Sequence, residues 1–124
     1  MPQPIIANGT EGGQINASGN SFAIHEWSGG GPDYLHVHYA DDEAWHVLEG
    51  TLTFRFADGE VEAPQGSTVF VPAGVAHTYY EAHGPTRYLL VLTPRLHQMI
   101  AELHSTPYNE HGQVLRRFES AIVE

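Results

Sequence analysis

The sequence predicts an all-β domain, a sandwich or closed barrel, followed by a short helical tail. Short stretches of alternating apolar and polar residues recur at steady spacing along most of the chain. Thirteen Gly and eight Pro among 124 residues supply the turns that such a fold needs. Helical spacing of apolar residues begins only after Pro94.

Residues 7–20 are rich in Gly, Asn, Thr and Ser and are expected to form a mobile flap or short irregular strands. Ser21 to Trp27 alternates, with Phe22 and Ile24 on one face and His25 and Trp27 on the other. Ser28 to Asp33 is a glycine-rich break before the strand carrying His36. Tyr39 to Asp42 is polar enough to turn the chain, and Glu43 to Leu48 is the next strand, closed by Glu49-Gly50. Thr51 to Phe56 places Leu52, Phe54 and Phe56 inward, and Asp58-Gly59 marks a hairpin. Strands follow at Glu60 to Ala63 and Ser67 to Val71, then a corner at Pro72-Ala-Gly74. Inward alternation resumes at residues 77, 79 and 81. Arg87 to Thr93 is apolar on both faces, which predicts burial between layers or cover by a partner subunit. In the tail, Leu96, Met99, Ile100 and Leu103 mark a helix beginning at Pro94, and Leu115, Phe118 and Ile122 mark a second short one. The reading is one domain over 1–124, with its barrel over about 20–93 and its tail over 94–124.

Composition removes several function classes. With no cysteine there is no disulfide framework, thiolate site or cysteine nucleophile. The formal net charge is −10 and all five cations are Arg, so nucleic acid and anionic membranes are poor partners. No apolar run approaches a membrane span and the first residues lack a signal-peptide pattern, so a cytoplasmic protein is expected. There is no G-x-S-x-G elbow and no paired-carboxylate spacing of a glycosidase.

Chemistry concentrates at His36-Val37-His38, Glu43 and His77. Alternate residues of a strand share a face, so His36 and His38 lie about 6.5–7 Å apart and can reach one ion. A hairpin turning at 39–42 would return Glu43 beside them. Three imidazoles and a carboxylate suit a divalent transition metal better than magnesium or calcium. His46 is expected to point outward, and His25 lies between cavity lining and surface. His83, His97, His104 and His111 are expected to be ordinary exposed residues. Trp45, Phe54, Phe56, Phe70 and Tyr79 are expected in the core, and Trp45, Phe54 and Tyr79 also as substrate-pocket wall.

These motifs carry a resemblance. Gly30, His36-x-His38, Glu43 and Gly50 fit the first signature of the cupin family, and Gly66, Pro72, Gly74 and His77 fit the second. Glu81 stands where the second motif usually has Asn. The chain thus resembles small single-domain, RmlC-like cupins, and its length and the Glu43–Gly50 and Arg87–Pro94 stretches are similar to the quercetin 2,3-dioxygenase-like branch. The resemblance implies a double-stranded β-helix (a jelly-roll barrel), one divalent ion of Fe, Mn, Ni, Co or Zn held by His36, His38, Glu43 and His77, and a homodimer. It implies a dioxygenase acting on a small aromatic or enolic substrate, flavonol- or diketone-like, with Glu43 as ligand or catalytic base. The alternatives are a metal-dependent isomerase, cyclase or lyase, and a non-catalytic small-molecule binder.

Overall fold

A computed structural model describes residues 3–7 and 14–123. Residues 8–13 of the flap expected over residues 7–20 therefore lie outside the described residues, and the rest includes a short strand, β1 (Asn16–Ser18). The strands that follow are β2 (Ala23–Trp27), β3 (His36–His38), β4 (Glu43–Glu49), β5 (Thr51–Phe56), β6 (Gly59–Pro64), β7 (Thr68–Val71), β8 (His77–Tyr80) and β9 (Arg87–Leu92). The helices are α1 (Pro94–His104) and α2 (His111–Arg117), and strand β10 (Ser120–Ile122) comes last.

The strands form two five-stranded antiparallel sheets, ordered β1-β2-β9-β4-β7 and β10-β3-β8-β5-β6. Side chains that alternate inward from both sheets make one core, as a sandwich requires. Trp45, Val47, Leu52, Phe54, Tyr88 and Leu90 are among its fully buried members. The β5–β6 hairpin turns where Asp58-Gly59 marks it, pairing Phe56 with Gly59. Gly50 joins β4 to β5 at φ 79°, and a Cβ there would sit 2.6 Å from the Pro85 carbonyl oxygen, so the position needs glycine.

Three expectations change. The segment 39–42 is not a hairpin turn, because β3 and β4 belong to different sheets and these residues carry the chain across. Within it Asp41 is buried, 7% exposed, and pairs with Arg95 at 2.5 Å and with the Thr93 hydroxyl at 3.0 Å. Phe70 is not core: it is 62% exposed on the outward face of β7. Ile122 is not helical. Glu119 takes a left-handed φ of 53° after α2, and the chain then pairs Ile122 opposite His36 and Ser120 opposite His38.

β9 alternates, with Tyr88, Leu90 and Leu92 buried and Leu89 and Val91 half-buried on the outer face. There Ile24, Val91, Ala44 and Phe70 form a cross-strand row. Helix α1 starts as Pro94 predicts, with the Thr93 hydroxyl accepting from the Leu96 amide at 3.1 Å. Leu96 and Met99 from α1 and Val114 and Leu115 from α2 are buried, so the tail helices add to the core.

A candidate metal centre in the barrel

β3 and β8 are neighbours, and His36 lies directly opposite His77 in register. His36 and His38 share a face of β3, as strand geometry demands. The result is three buried imidazoles whose rings lie 4.4–5.3 Å apart, with ligand atoms all within 4.8 Å of one another. Glu43, the first residue of β4, reaches across from the other sheet. Its Oε1 is 3.3 Å from Nε2 of both His38 and His77.

The outer ring nitrogens fix what the inner ones can do. His77 Nδ1 is 2.9 Å from the Val75 carbonyl oxygen, and His36 Nδ1 is 3.4 Å from that of Tyr34. A carbonyl only accepts, so each Nδ1 carries a proton. His38 Nδ1 is 2.7 Å from the Ser120 hydroxyl, which itself donates to the Phe118 carbonyl at 3.1 Å. Ser120 therefore accepts from His38 Nδ1. All three neutral rings then present an Nε2 lone pair inward. Two of those lone pairs face a carboxylate oxygen at 3.3 Å, a repulsive arrangement unless a cation or protons lie between. Two donors each about 2.0–2.2 Å from one ion stand about 2.8–3.6 Å apart at octahedral to tetrahedral angles. The donor set fits a divalent transition metal, and the outward bonds are the kind that orient metal-binding histidines.

Electrostatics agree with a neutral His36 and an ionised Glu43. Burial, then the neighbouring His77 and His38, push His36 down to about 3. Burial pushes Glu43 up, but in metal-free protein with Nε2 of His38 and His77 protonated, hydrogen bonds and charge from these rings outweigh it and hold the group at about 2.

The cluster opens into a cavity of about 250 Å³. Trp45 and Tyr79 line it as the sequence predicts. Phe54 does not: it is 1% exposed and stands behind them, 5.1 Å from the Trp45 ring and stacked 5.5 Å from Tyr79. Gly31 passes so close to Tyr79 that a Cβ would lie 2.7 Å from its ring. The Tyr88 hydroxyl donates to the Gly29 carbonyl at 2.8 Å, so the Tyr79 hydroxyl donates to Tyr88 at 3.0 Å. Burial raises both phenols, Tyr79 to about 12. The far wall comes from the tail: Met99, Ile100, Leu103, His104, His111 and Leu115.

Two histidines expected at the surface thus sit in this wall. His104 stays exposed at its rim, against the Trp27 ring at 5.1 Å. His111 is half-buried and bonded to Tyr34. His25 lies outside the cavity, between Trp27 and His97. His46 points outward to Thr68 at 2.8 Å. Tyr34, Ser120 and His111 are site residues that sequence reasoning missed. Tyr34 shares the parity of His36 and His38, which was its one available signal. Glu81, in place of the usual Asn, accepts from the Gly29 amide, the Thr86 amide and the Thr86 hydroxyl at 2.6–3.1 Å, so the turn is held by a carboxylate instead.

Comparison with known proteins agrees with this architecture. A protein of Streptomyces coelicolor, itself uncharacterised, is 34% identical over 56 residues, 45% of this chain. The chain spans about half the length of that curated relative, 53%. A cupin-2 domain containing protein from Shewanella frigidimarina is 25% identical with TM-score 0.55, covering 63% of this chain and 76% of its own. A sugar phosphate isomerase from a cupin superfamily, of Silicibacter pomeroyi, is 25% identical with TM-score 0.50, covering 59% of this chain and 50% of its own. No helix among the described residues is long and apolar enough to cross a membrane. Residues 23–92 match the model of the cupin domain, more than half of the chain, and the protein belongs to that family.

Proposed function

We propose that this cupin is a metal-dependent oxygenase of a small, uncharged aromatic or enolic substrate, a diketone, catechol or compact flavonol-like molecule. The observation that carries it is the pairing of a three-histidine, one-carboxylate cluster with an apolar, aromatic cavity. A divalent transition ion held by His36, His38, His77 and Glu43 would supply Lewis acidity toward an enol or diol oxygen and, for iron, manganese, cobalt or nickel, reactivity with dioxygen.

The chain's own residues do the rest. Trp45 and Tyr79 offer flat ring surfaces to a planar substrate, and Met99, Ile100 and Leu103 exclude water above it. Glu43 is the one carboxylate among the described lining residues, so it is the group placed to take a substrate hydroxyl proton. The cavity is slightly below the usual range of small-molecule pockets, about 300–1,000 Å³, which favours one or two rings.

Isomerisation of a phosphorylated sugar, the activity named for the Silicibacter pomeroyi relative, is the second reading. It needs a cation for the phosphate. The chain has no Lys, and among the described lining residues there is no Arg.

The test is oxygen uptake by protein loaded separately with iron, manganese, cobalt, nickel or zinc, against a panel of diketones, catechols and flavonols. Uptake with at least one pair is expected. No uptake with any pair, together with turnover of a non-oxidative substrate, overturns the oxygenase reading.

A further inference from the structure

One polar pair of the cavity lies outside the metal cluster and joins the segment shared with the family to the tail beyond it. Tyr34, two residues before His36, is 5% exposed and lines the cavity. Its hydroxyl is 2.9 Å from Nδ1 of His111, the first residue of α2 and well beyond residues 23–92. His111 Nε2 lies 3.1 Å from the carbonyl oxygens of both Leu103 and Thr106. Carbonyls accept only, so Nε2 carries the ring proton, Nδ1 is the acceptor, and Tyr34 must donate. The single hydroxyl hydrogen of Tyr34 is spent on the tail. To anything in the cavity the phenol oxygen can offer lone pairs alone.

The phenol is also held in place. The rings of His36, Tyr108 and His111 meet Tyr34 at centroid separations of 5.9, 5.9 and 6.0 Å, and Tyr108 is itself tied to Asp33 at 2.9 Å. An acceptor fixed this firmly discriminates. A ligand lacking a donor leaves the oxygen desolvated without a partner, and a ligand with a second acceptor meets it lone pair to lone pair.

We propose that Tyr34, polarised by His111, is a specificity-determining residue that selects ligands carrying a hydroxyl or amino donor on their apolar part, away from the oxygens that face the metal cluster. This rests on the reading of the cavity as a metal-dependent small-molecule site. A hydrogen bond of ordinary strength predicts about a three- to tenfold preference.

The full chain loaded with cobalt or manganese is titrated with benzoylacetone, its ring-hydroxylated isomers and the matching ring-methoxylated isomers. At least one hydroxylated isomer should bind about three- to tenfold more tightly than benzoylacetone, and its methoxylated counterpart no more tightly. Tyr34→Phe should abolish that preference, bringing benzoylacetone, the hydroxylated isomer and its methoxylated counterpart to affinities within about twofold of one another. His111→Ala, a second variant in case the first does not fold, frees the phenol hydrogen and should let the methoxylated isomer catch up. A pair serving only to pin α2 to the barrel would lower the melting temperature and weaken all ligands alike. Benzoylacetone bound without any hydroxyl preference, or a preference that survives Tyr34→Phe, overturns the proposal. If no probe binds the loaded protein, the reading of the cavity itself fails and this one falls with it.

Discussion

Ser120→Ala tests the centre through a residue that cannot touch the ion. Ser120 is 2% exposed, and its hydroxyl accepts from His38 Nδ1 at 2.7 Å. In metal-free protein the loss is largely avoidable: the ring can move its proton to Nε2, which lies 3.3 Å from Glu43 Oε1. With an ion bound, Nε2 is occupied and the proton must stay on Nδ1, now buried without a partner. An orphaned buried donor costs about 1–3 kcal/mol. That cost falls on the loaded state, so it appears as affinity, roughly 5- to 150-fold at 1.4 kcal/mol per factor of ten. Loss of such orienting bonds elsewhere weakens metal sites by about 10- to 100-fold. Competition against a calibrated chelator with zinc, cobalt and manganese measures it, alongside melting curves of metal-free and loaded protein. The expected pattern is weaker binding with little change in metal-free melting. Affinity within about twofold of the parent for all three ions, in a folded variant, would refute the tautomer argument and with it the assignment of His38 as a donor.

Glu43→Gln keeps the shape of the side chain but removes its charge; bound metal should be partly retained, by elemental analysis, while oxygen uptake drops at least about a hundredfold if the carboxylate takes the substrate proton. Metal-free protein should lose stability on acidification in two overlapping windows. His36 is lowered from 6.5 to about 3, so between those values the unfolded chain binds a proton that the folded chain refuses. Glu43 is lowered from 4.5 to about 2, so its contribution is present above 4.5 and is lost as pH falls toward 2. Urea unfolding at pH 7, 5 and 3.5 checks both, and a midpoint independent of pH would contradict them. Glu81→Ala removes three hydrogen bonds to one carboxylate oxygen and should cost about 1–3 kcal/mol of stability by urea unfolding while leaving metal affinity unchanged. The row Ile24, Val91, Ala44 and Phe70 is the apolar face available for the expected homodimer; sedimentation at micromolar concentration should give a dimer that Phe70→Glu converts to monomer, and a monomeric parent would refute it.

Much of this was legible from local pattern. Period-two alternation located the long strands because each buries one face, and the same parity put His36 and His38 on one side of β3. His77 was readable only through its motif, since nothing local says that β8 will lie beside β3. Glu43 was expected at the site for a mistaken reason. The polar residues 39–42 look like a hairpin turn, yet Asp41 is buried against Arg95 and the chain changes sheets there. Ile122 was misread because Leu115, Phe118 and Ile122 keep a helical interval, while the left-handed Glu119 ends the helix inside it. Ser120 and His111 had no signal of their own. Their roles depend on partners 82 and 77 residues away, and distance of that kind is written in topology, not in spacing.

The last strand also dictates timing. β10 clamps the outer edge of β3, setting Ser120 behind His38, so the candidate centre stays unfinished until residues 120–122 have emerged during synthesis. A nascent barrel lacking residues 120–122 would hold its three imidazoles loosely and capture ions poorly. Loading would then wait for that strand to dock, and the cell's free metal pool at that moment would decide which element the protein keeps.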